Sequence, residues 1–354
     1  MRKPYIVVFA ALFLVIVAGA GCSRTAAPPP APASIDAAKL ELFAPLPEVM
    51  ASASNPITEE KVSLGRMLYY ETRLSRSQKI SCNTCHLLDK YGVDGEATSN
   101  GHKEQIGDRN APTVYNAAGH LAQFWDGRAP DVEEQSKGPV LNPIEMAMPS
   151  MEQAVMVLKS MPEYVAAFKA AFPGEKDPVT YDNMARAIGA FERKLVTPDR
   201  WDKFLRGDQT VLTSEEKAGF NAYTEAGCQT CHAGAYVGGG LYQRLGMTKP
   251  WPDTSDPGRE KVTKSVADRL VFKVPSLRNI DKTGPYYHNG KVSTLAEAVS
   301  MMGEYQLGKT LSDAQVKSIV TWLGTLTGEI PGDYVKEPVL PKSTKATPKP
   351  DISD

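Results

Sequence analysis

Excess charge of either sign is missing from this chain of 354 residues, which sets 40 Lys and Arg against 41 Asp and Glu. No basic patch stands out, so nucleic acid is not an expected partner. Strand signals are weak throughout. Short runs such as Leu270 to Val274 read as a small ribbon at most, which argues against a sheet-built architecture. Long apolar runs are limited to Tyr5–Val17 at the N-terminus, too short and too singly flanked for a lasting membrane span. Cysteine is scarce, with five in all: Cys22 and two pairs far down the chain.

Those pairs are Cys82-Asn83-Thr84-Cys85-His86 and Cys228-Gln229-Thr230-Cys231-His232. Cys-x-x-Cys-His reads as a c-type haem attachment site. Two thiols three positions apart meet the two vinyl groups of one haem, and the next residue, His, supplies an axial nitrogen to the iron. A split Cys₄ zinc site is the bland alternative, but its pairs usually lie about 12–20 residues apart and need no His after each. A redox disulfide is the other, yet neither pair sits in a thioredoxin-like βαβ pattern. Two covalent haems, on Cys82, Cys85 and His86 and on Cys228, Cys231 and His232, are therefore expected.

Arg2, Lys3, the apolar run and Ala18-Gly19-Ala20-Gly21-Cys22 form a secretory signal over residues 1–21. Cys22 resembles the lipidated cysteine of a bacterial lipoprotein, although Gly19 stands where an aliphatic residue is usual. Cleavage after Ala20 as an ordinary secreted protein is the alternative. Pro28, Pro29, Pro30 and Pro32 make residues 22–35 a stiff spacer or lipid tether. The expected location is the periplasm, with a membrane tether if Cys22 is lipidated. Loss of Arg2 and Lys3 leaves 38 basic against 41 acidic residues. About 320 residues remain, enough for two domains with separate cores.

Thr58 before Glu59 and Glu60 predicts a helix start. Met151 to Phe168 predicts one helical face through Val155, Leu158, Val165 and Phe168; Tyr181 to Leu195 predicts another through Met184, Ile188 and Phe191. Thr213 to Glu216 opens a helix running to Ala226, and Ser312 caps one carrying Val316, Ile319, Val320 and Leu323. The order of helix, haem motif, Gly/Pro-rich stretch and closing helices thus occurs twice. The expected fold is mainly α, with two cytochrome c-like domains: residues 36–197 and 198–332, joined near Pro198. Residues 333–354, rich in Pro, Lys, Ser and Asp, read as a loose tail.

Several segments then carry a family likeness: Asn110 to Asn116 (NAPTVYN), Phe124 to Arg128 (FWDGR), Gly138 to Pro143 (GPVLNP) with Glu145 and Met146, Pro275 to Asn279 (PSLRN), and Gln306 to Gly308 (QLG). Together, in this order and from about Leu64 to Leu323, the chain resembles the bacterial dihaem cytochrome c peroxidases. The resemblance implies reduction of hydrogen peroxide to water, with electrons from a small c-type cytochrome or cupredoxin. It implies a low-potential, peroxidatic haem in the N-terminal domain and a high-potential, electron-transferring haem in the C-terminal one. His86 and His232 match the proximal iron ligands. His102, 16 residues after His86, matches a distal ligand of the first haem, and Met302 matches that of the second. Met/His ligation raises an iron's potential and bis-His ligation leaves it lower.

For peroxide to react at the first haem, His102 must leave; it lies in Tyr91–Asn110, a polar loop with Gly92, Gly95, Gly101 and Gly107. The resemblance makes Glu145 the acid/base that moves a proton from one peroxide oxygen to the other, Gln135 a neighbouring pocket amide, and Trp125 an aromatic between the haems. It places calcium at Asn110, Thr283 and Pro285, with several waters completing the shell. A homodimer is also implied. His288 falls in an interface segment with no assignable role, and His120 reads as structural or exposed. Two other functions share these features. A non-enzymatic periplasmic dihaem electron carrier would not need Glu145. A maturation enzyme acting on Trp residues of a partner would carry Tyr as the second distal ligand, where this chain has Met302.

Overall fold

Helix caps decide where most elements begin. The computed structural model describes Met1, Pro4, Tyr5 and residues 33–353. The rest of the secretory signal, Cys22 and the proline spacer up to Pro32 lie outside the described residues. Thr58 accepts a hydrogen bond from Lys61 N (3.2 Å) and opens α1, Glu59–Tyr69, with two acidic residues in the first turn facing the helix dipole. Further along lie α2 (Val132–Leu141), α3 (Met151–Lys159), α4 (Pro162–Ala171) and α5 (Tyr181–Glu192). The single helical face expected from Met151 to Phe168 is broken in two. Proline cannot donate to the preceding turn, so Pro162 starts α4 at its first position instead of extending α3.

The second half holds α6 (Arg200–Leu205), α7 (Ser214–Ala226), α8 (Leu295–Met301) and α9 (Asp313–Leu323). Reciprocal capping boxes open α7 (Thr213 with Glu216) and α9 (Ser312 with Gln315), as the sequence predicts. Between them β1 (Tyr242–Arg244) pairs antiparallel with β2 (Val271–Lys273), placing Tyr242 opposite Lys273. The ribbon is small, as expected, and the architecture is mainly α.

Each half is built on a helix pair that straddles a Cys-x-x-Cys-His motif in sequence. In the first, α1 packs on α5 so closely that a Cβ at Gly65 would overlap the Ala187 carbonyl oxygen. In the second, α7 packs on α9 with the same device, Gly219 against the Ser318 carbonyl. Only glycine permits such backbone approach. Leu64, Leu158, Phe168 and Ile188 are buried in one core, and Tyr69, Tyr115, Phe191 and Leu195 in a neighbouring one. The second half is centred on Trp201, Phe220, Tyr223 and Trp322, with Trp201 edge-on to Trp322 at 5.4 Å.

The two ends of the segment 33–353 cross over between the halves, which the sequence did not predict. Phe43 packs edge-on against Trp201 (5.8 Å) and Phe220 (5.4 Å), so the first residues assigned to the N-terminal domain belong to the second core. Leu46 N donates to Asp202 Oδ1 (2.8 Å), and Gly234 N to Leu42 O (2.8 Å). Residues 33–35, expected in the spacer, are also held: Ala33 N donates to Ser214 Oγ at 2.7 Å and Asn221 Nδ2 to Ser34 O at 2.8 Å.

At the other end, the tail is docked, not loose. Tyr334 stacks on Phe191 (5.1 Å), Arg73 donates to Pro341 O (2.8 Å), Gln78 to Pro348 O (2.8 Å), and Arg76 pairs with Asp351 (2.7 Å). A proline-rich extended segment lacks a core of its own, but its carbonyls remain acceptors for donors on a neighbouring surface. Composition reports the first property and not the second.

Candidate functional site

Each Cys-x-x-Cys-His motif forms a short helical turn at the wall of a separate cavity. In the first, His86 N donates to Cys82 O (3.0 Å), and Tyr69 of α1 donates its hydroxyl to His86 O (2.9 Å). In the second, His232 N donates to Cys228 O (3.0 Å), and Tyr223 of α7 donates to His232 O. The tyrosine of the preceding helix therefore pins both motifs in the same way. The imidazoles match as well: His86 Nδ1 lies 3.3 Å from Gly92 O and His232 Nδ1 lies 3.1 Å from Pro275 O. An Nδ1–H held by a carbonyl leaves the Nε2 lone pair available for a metal. Burial lowers both imidazole pKa values, His232 to about 4, keeping the neutral form that ligation requires.

All four thiols are free, and Cys82, Cys85 and His86 line the first cavity while Cys228, Cys231 and His232 line the second. Burial pushes the Cys228 thiol up to about 11 and raises Cys82 and Cys85. Among the described residues no three His, Cys, Asp or Glu side chains converge as a metal-holding group, so the two pairs build no shared zinc site. The remaining walls are largely apolar: Ile80, Val114, Val132, Ile144 and Met146 in the first cavity, and Phe272, Val274, Leu295, Val299 and Ile319 in the second. Neutral thiols, one available imidazole nitrogen and apolar walls suit a flat, apolar, covalently attached macrocycle in each cavity.

The first cavity also gathers polar groups. Glu145 and Gln135 line it together with Arg128 and Asn142. Burial raises the Glu145 pKa, opposed by the Arg128 guanidinium and by Asn142 Nδ2, which donates to Glu145 Oε1 at 2.8 Å. Arg128 stacks over Phe124 with its guanidinium carbon 3.4 Å from the ring centroid and holds Asp126 at 3.1 Å. Sequence reasoning quoted Arg128 without giving it a role and missed Asn142. It also missed Glu192, a buried carboxyl at the end of α5 that lines the same cavity and is pushed up to about 8 by burial. A Glu near a helix end looks like solvated surface, and no local signal distinguishes it.

His102 is placed differently from the other candidates. It is buried, its backbone N–H bonds to Ile144 O and Glu145 O at 2.8 Å, and neither ring nitrogen has a partner among the described residues. Gly101 beside it lines the first cavity, whereas the His102 ring does not. This stretch is tied to the tail: Lys103 Nζ donates to Ser353 O (2.8 Å), and nearby Arg76 holds Asp351.

Trp125 lines both cavities and donates Nε1 to Asn110 O (2.9 Å). Asn110, Thr283 and Pro285 line the second cavity together, and the Asn110 amide donates to Glu96 O (3.0 Å). His288 is buried, stacked on Phe272 at 4.4 Å and edge-on to Trp125 at 6.4 Å. Met302 lines the second cavity from the first residue of a π-helical turn, Met302–Gln306, that ends α8. Such turns often mark functional positions. His120, read from sequence as structural or exposed, also lines that cavity.

Among the described residues no helix is long and apolar enough to cross a membrane. Residues 59–210 match the family model of the di-haem cytochrome c peroxidases. The cytochrome c551 peroxidase of Pseudomonas aeruginosa is 46% identical over 317 residues, spanning 87% of this chain and 90% of that protein. The cytochrome c551 peroxidase of Nitrosomonas europaea is 48% identical over 300 residues, spanning 84% and 88%. Among solved structures, a MauG-like protein associated with microbial copper homeostasis superposes with a TM-score of 0.74 at 27% identity, over 83% of this chain and 97% of its own. With two motif-lined cavities in one mainly helical fold and near-full-length relatives at this identity, the chain belongs to the dihaem cytochrome c peroxidase family.

Proposed function

We propose that the chain reduces hydrogen peroxide in the first cavity, with electrons from a small c-type cytochrome or cupredoxin entering through the second. One peroxide, two protons and two reduced donors yield two waters and two oxidised donors. The observation that carries this reading is the meeting of Glu145, Gln135 and Arg128 in the cavity of Cys82, Cys85 and His86. The haem bound there supplies the redox-active iron. His86 would hold its iron and Cys82 and Cys85 would attach it; for the second haem, His232 and Met302 would hold the iron and Cys228 and Cys231 would attach the macrocycle.

Glu145 accepts a proton from one peroxide oxygen and returns it to the other, a transfer that a buried carboxylate with a raised pKa performs near neutral pH. Asn142 orients the carboxylate and Arg128 keeps it ionisable. Gln135 orients peroxide or water. The position of His102 outside the cavity lining supports a reading in which this loop withdraws to admit peroxide, and His102 would hold the first haem's iron only when the loop returns. Trp125, at the wall of both cavities, lies on the electron path. Asn110, Thr283 and Pro285 hold calcium beside it. The N-terminal signal points to the periplasm, with Cys22 as lipid anchor, and the active form is a homodimer.

The deciding experiment is peroxide-dependent oxidation of a reduced small cytochrome c by the protein pre-reduced at the second haem, with calcium present. Rapid turnover is expected. No turnover with several donors, while both haems exchange electrons, would instead make the chain an electron carrier.

A further inference from the structure

A donor-only cluster is buried in the wall of the second cavity. Lys273, on β2, is 9% exposed and lines this cavity with His120. Its Nζ lies 3.2 Å from His120 Nδ1, and its backbone N–H donates to Trp125 O at 2.8 Å. An ammonium has three donors and no acceptor, so His120 must accept at Nδ1 and carry its proton at Nε2. That Nε2 is buried and has no partner among the described residues. Beside it stand Tyr236, edge-on to His120 at 5.6 Å, the backbone of Gly239, and Tyr242, opposite Lys273 across the ribbon. Among the described residues no carboxylate forms an ion pair with Lys273, and burial lowers its pKa to about 8.

Unpaired buried charge is strongly disfavoured, and buried cations are ordinarily matched by an anion. Here the unspent Lys273 and His120 donors border a cavity, so the missing acceptor belongs in the cavity. The haem of a c-type centre brings two carboxylate side chains of its own.

We propose that Lys273, seconded by His120, binds a carboxylate side chain of the second haem and by its charge raises that haem's reduction potential. This rests on the second cavity holding a haem. A positive charge close to the macrocycle favours the reduced form, which carries one more electron. Lys273 is thus a positioning residue: it touches the cofactor's periphery and sets how readily the second haem is reduced before peroxide arrives.

The test uses the full-length matured protein in wild-type, Lys273→Gln and Lys273→Arg forms. Haem content is counted first, and two covalent haems per chain secures the underlying reading separately. Spectroelectrochemical titration is then expected to show the second haem's reduction constant falling about tenfold in Lys273→Gln, ~59 mV for one electron. The first haem should hold its midpoint, and Lys273→Arg should recover most of the loss. Resonance Raman modes of the haem carboxylates should shift in Lys273→Gln and return in Lys273→Arg. An unchanged second midpoint and unchanged modes in Lys273→Gln would overturn the proposal. A wild-type midpoint that moves with added acetate would overturn it too, by assigning the site to a free anion. If Lys273→Gln fails to mature, His120→Leu keeps the ammonium and must still shift the carboxylate modes; unchanged modes there would also refute the assignment.

Discussion

Replacing Glu145 by Gln isolates the proton-transfer role from everything else this side chain does. Gln matches Glu in size and keeps an oxygen that can accept from Asn142 Nδ2, now 2.8 Å from Glu145 Oε1. The motif residues, the apolar walls and Arg128 are untouched, so both haem spectra should be those of the parent protein. What disappears is a buried group able to gain and lose a proton. Removal of a general acid–base typically costs about 10²–10⁴ in rate, roughly 3–5 kcal/mol in barrier. Steady-state oxidation of a reduced cytochrome c at saturating peroxide should therefore fall at least a hundredfold. The pH profile gives a second reading. Burial raises the Glu145 pKa while Arg128 opposes the rise, so the acid limb of turnover should lie above the ordinary carboxylate range. In Arg128→Leu that limb should move to still higher pH, because the cation that opposes the rise is gone. Turnover of Glu145→Gln within about threefold of the parent would refute a proton-transfer role for this residue.

Buried charge elsewhere makes the second half sensitive to one substitution. Arg278 pairs with Asp199 (2.6 Å) and Asp202 (2.9 Å), all three side chains being nearly inaccessible. Arg278→Met should destabilise the protein by about 3–5 kcal/mol in urea unfolding, because it leaves two buried carboxylates without their partner; a loss below about 1 kcal/mol would remove this group from the stability argument. Deleting residues 341–354 removes the contacts of Arg73, Arg76 and Gln78 with the tail. The deletion should cost about 1–3 kcal/mol, seen as a lower thermal midpoint. It should also speed proteolysis near Lys103, which the tail holds through Ser353 O. Chelation by EGTA should lower peroxide turnover and added calcium restore it, with Asn110→Ala abolishing the restoration; a chelator-insensitive protein would move calcium away from this site.

Some of this protein was legible along the chain because the relevant physics is local. The Cys-x-x-Cys-His spacing, the Thr58, Thr213 and Ser312 caps and the face of α5 each depend on residues within one or two helical turns. Segment likeness added Glu145, Gln135, Trp125 and Met302, which the fold distributes over two cavity walls.

The misread parts depend on residues far apart in sequence. Tail composition reads as a loose segment, yet Arg73, Arg76 and Gln78 supply donors that its carbonyls and Asp351 accept. Sequence order places Phe43 in the first domain, whereas Trp201 and Phe220 pack against it in the second core.

The sequence by itself determined the number of haem attachment motifs and the helices that carry them, because attachment and helix initiation are short-range chemistry. Only the tertiary structure decided that Glu192 and Lys273 are buried at cavity walls, that His102 stands outside the first cavity, and that His120 accepts from a lysine 153 residues away. Burial and electrostatic environment arise from the packing of distant segments, and no local pattern encodes them.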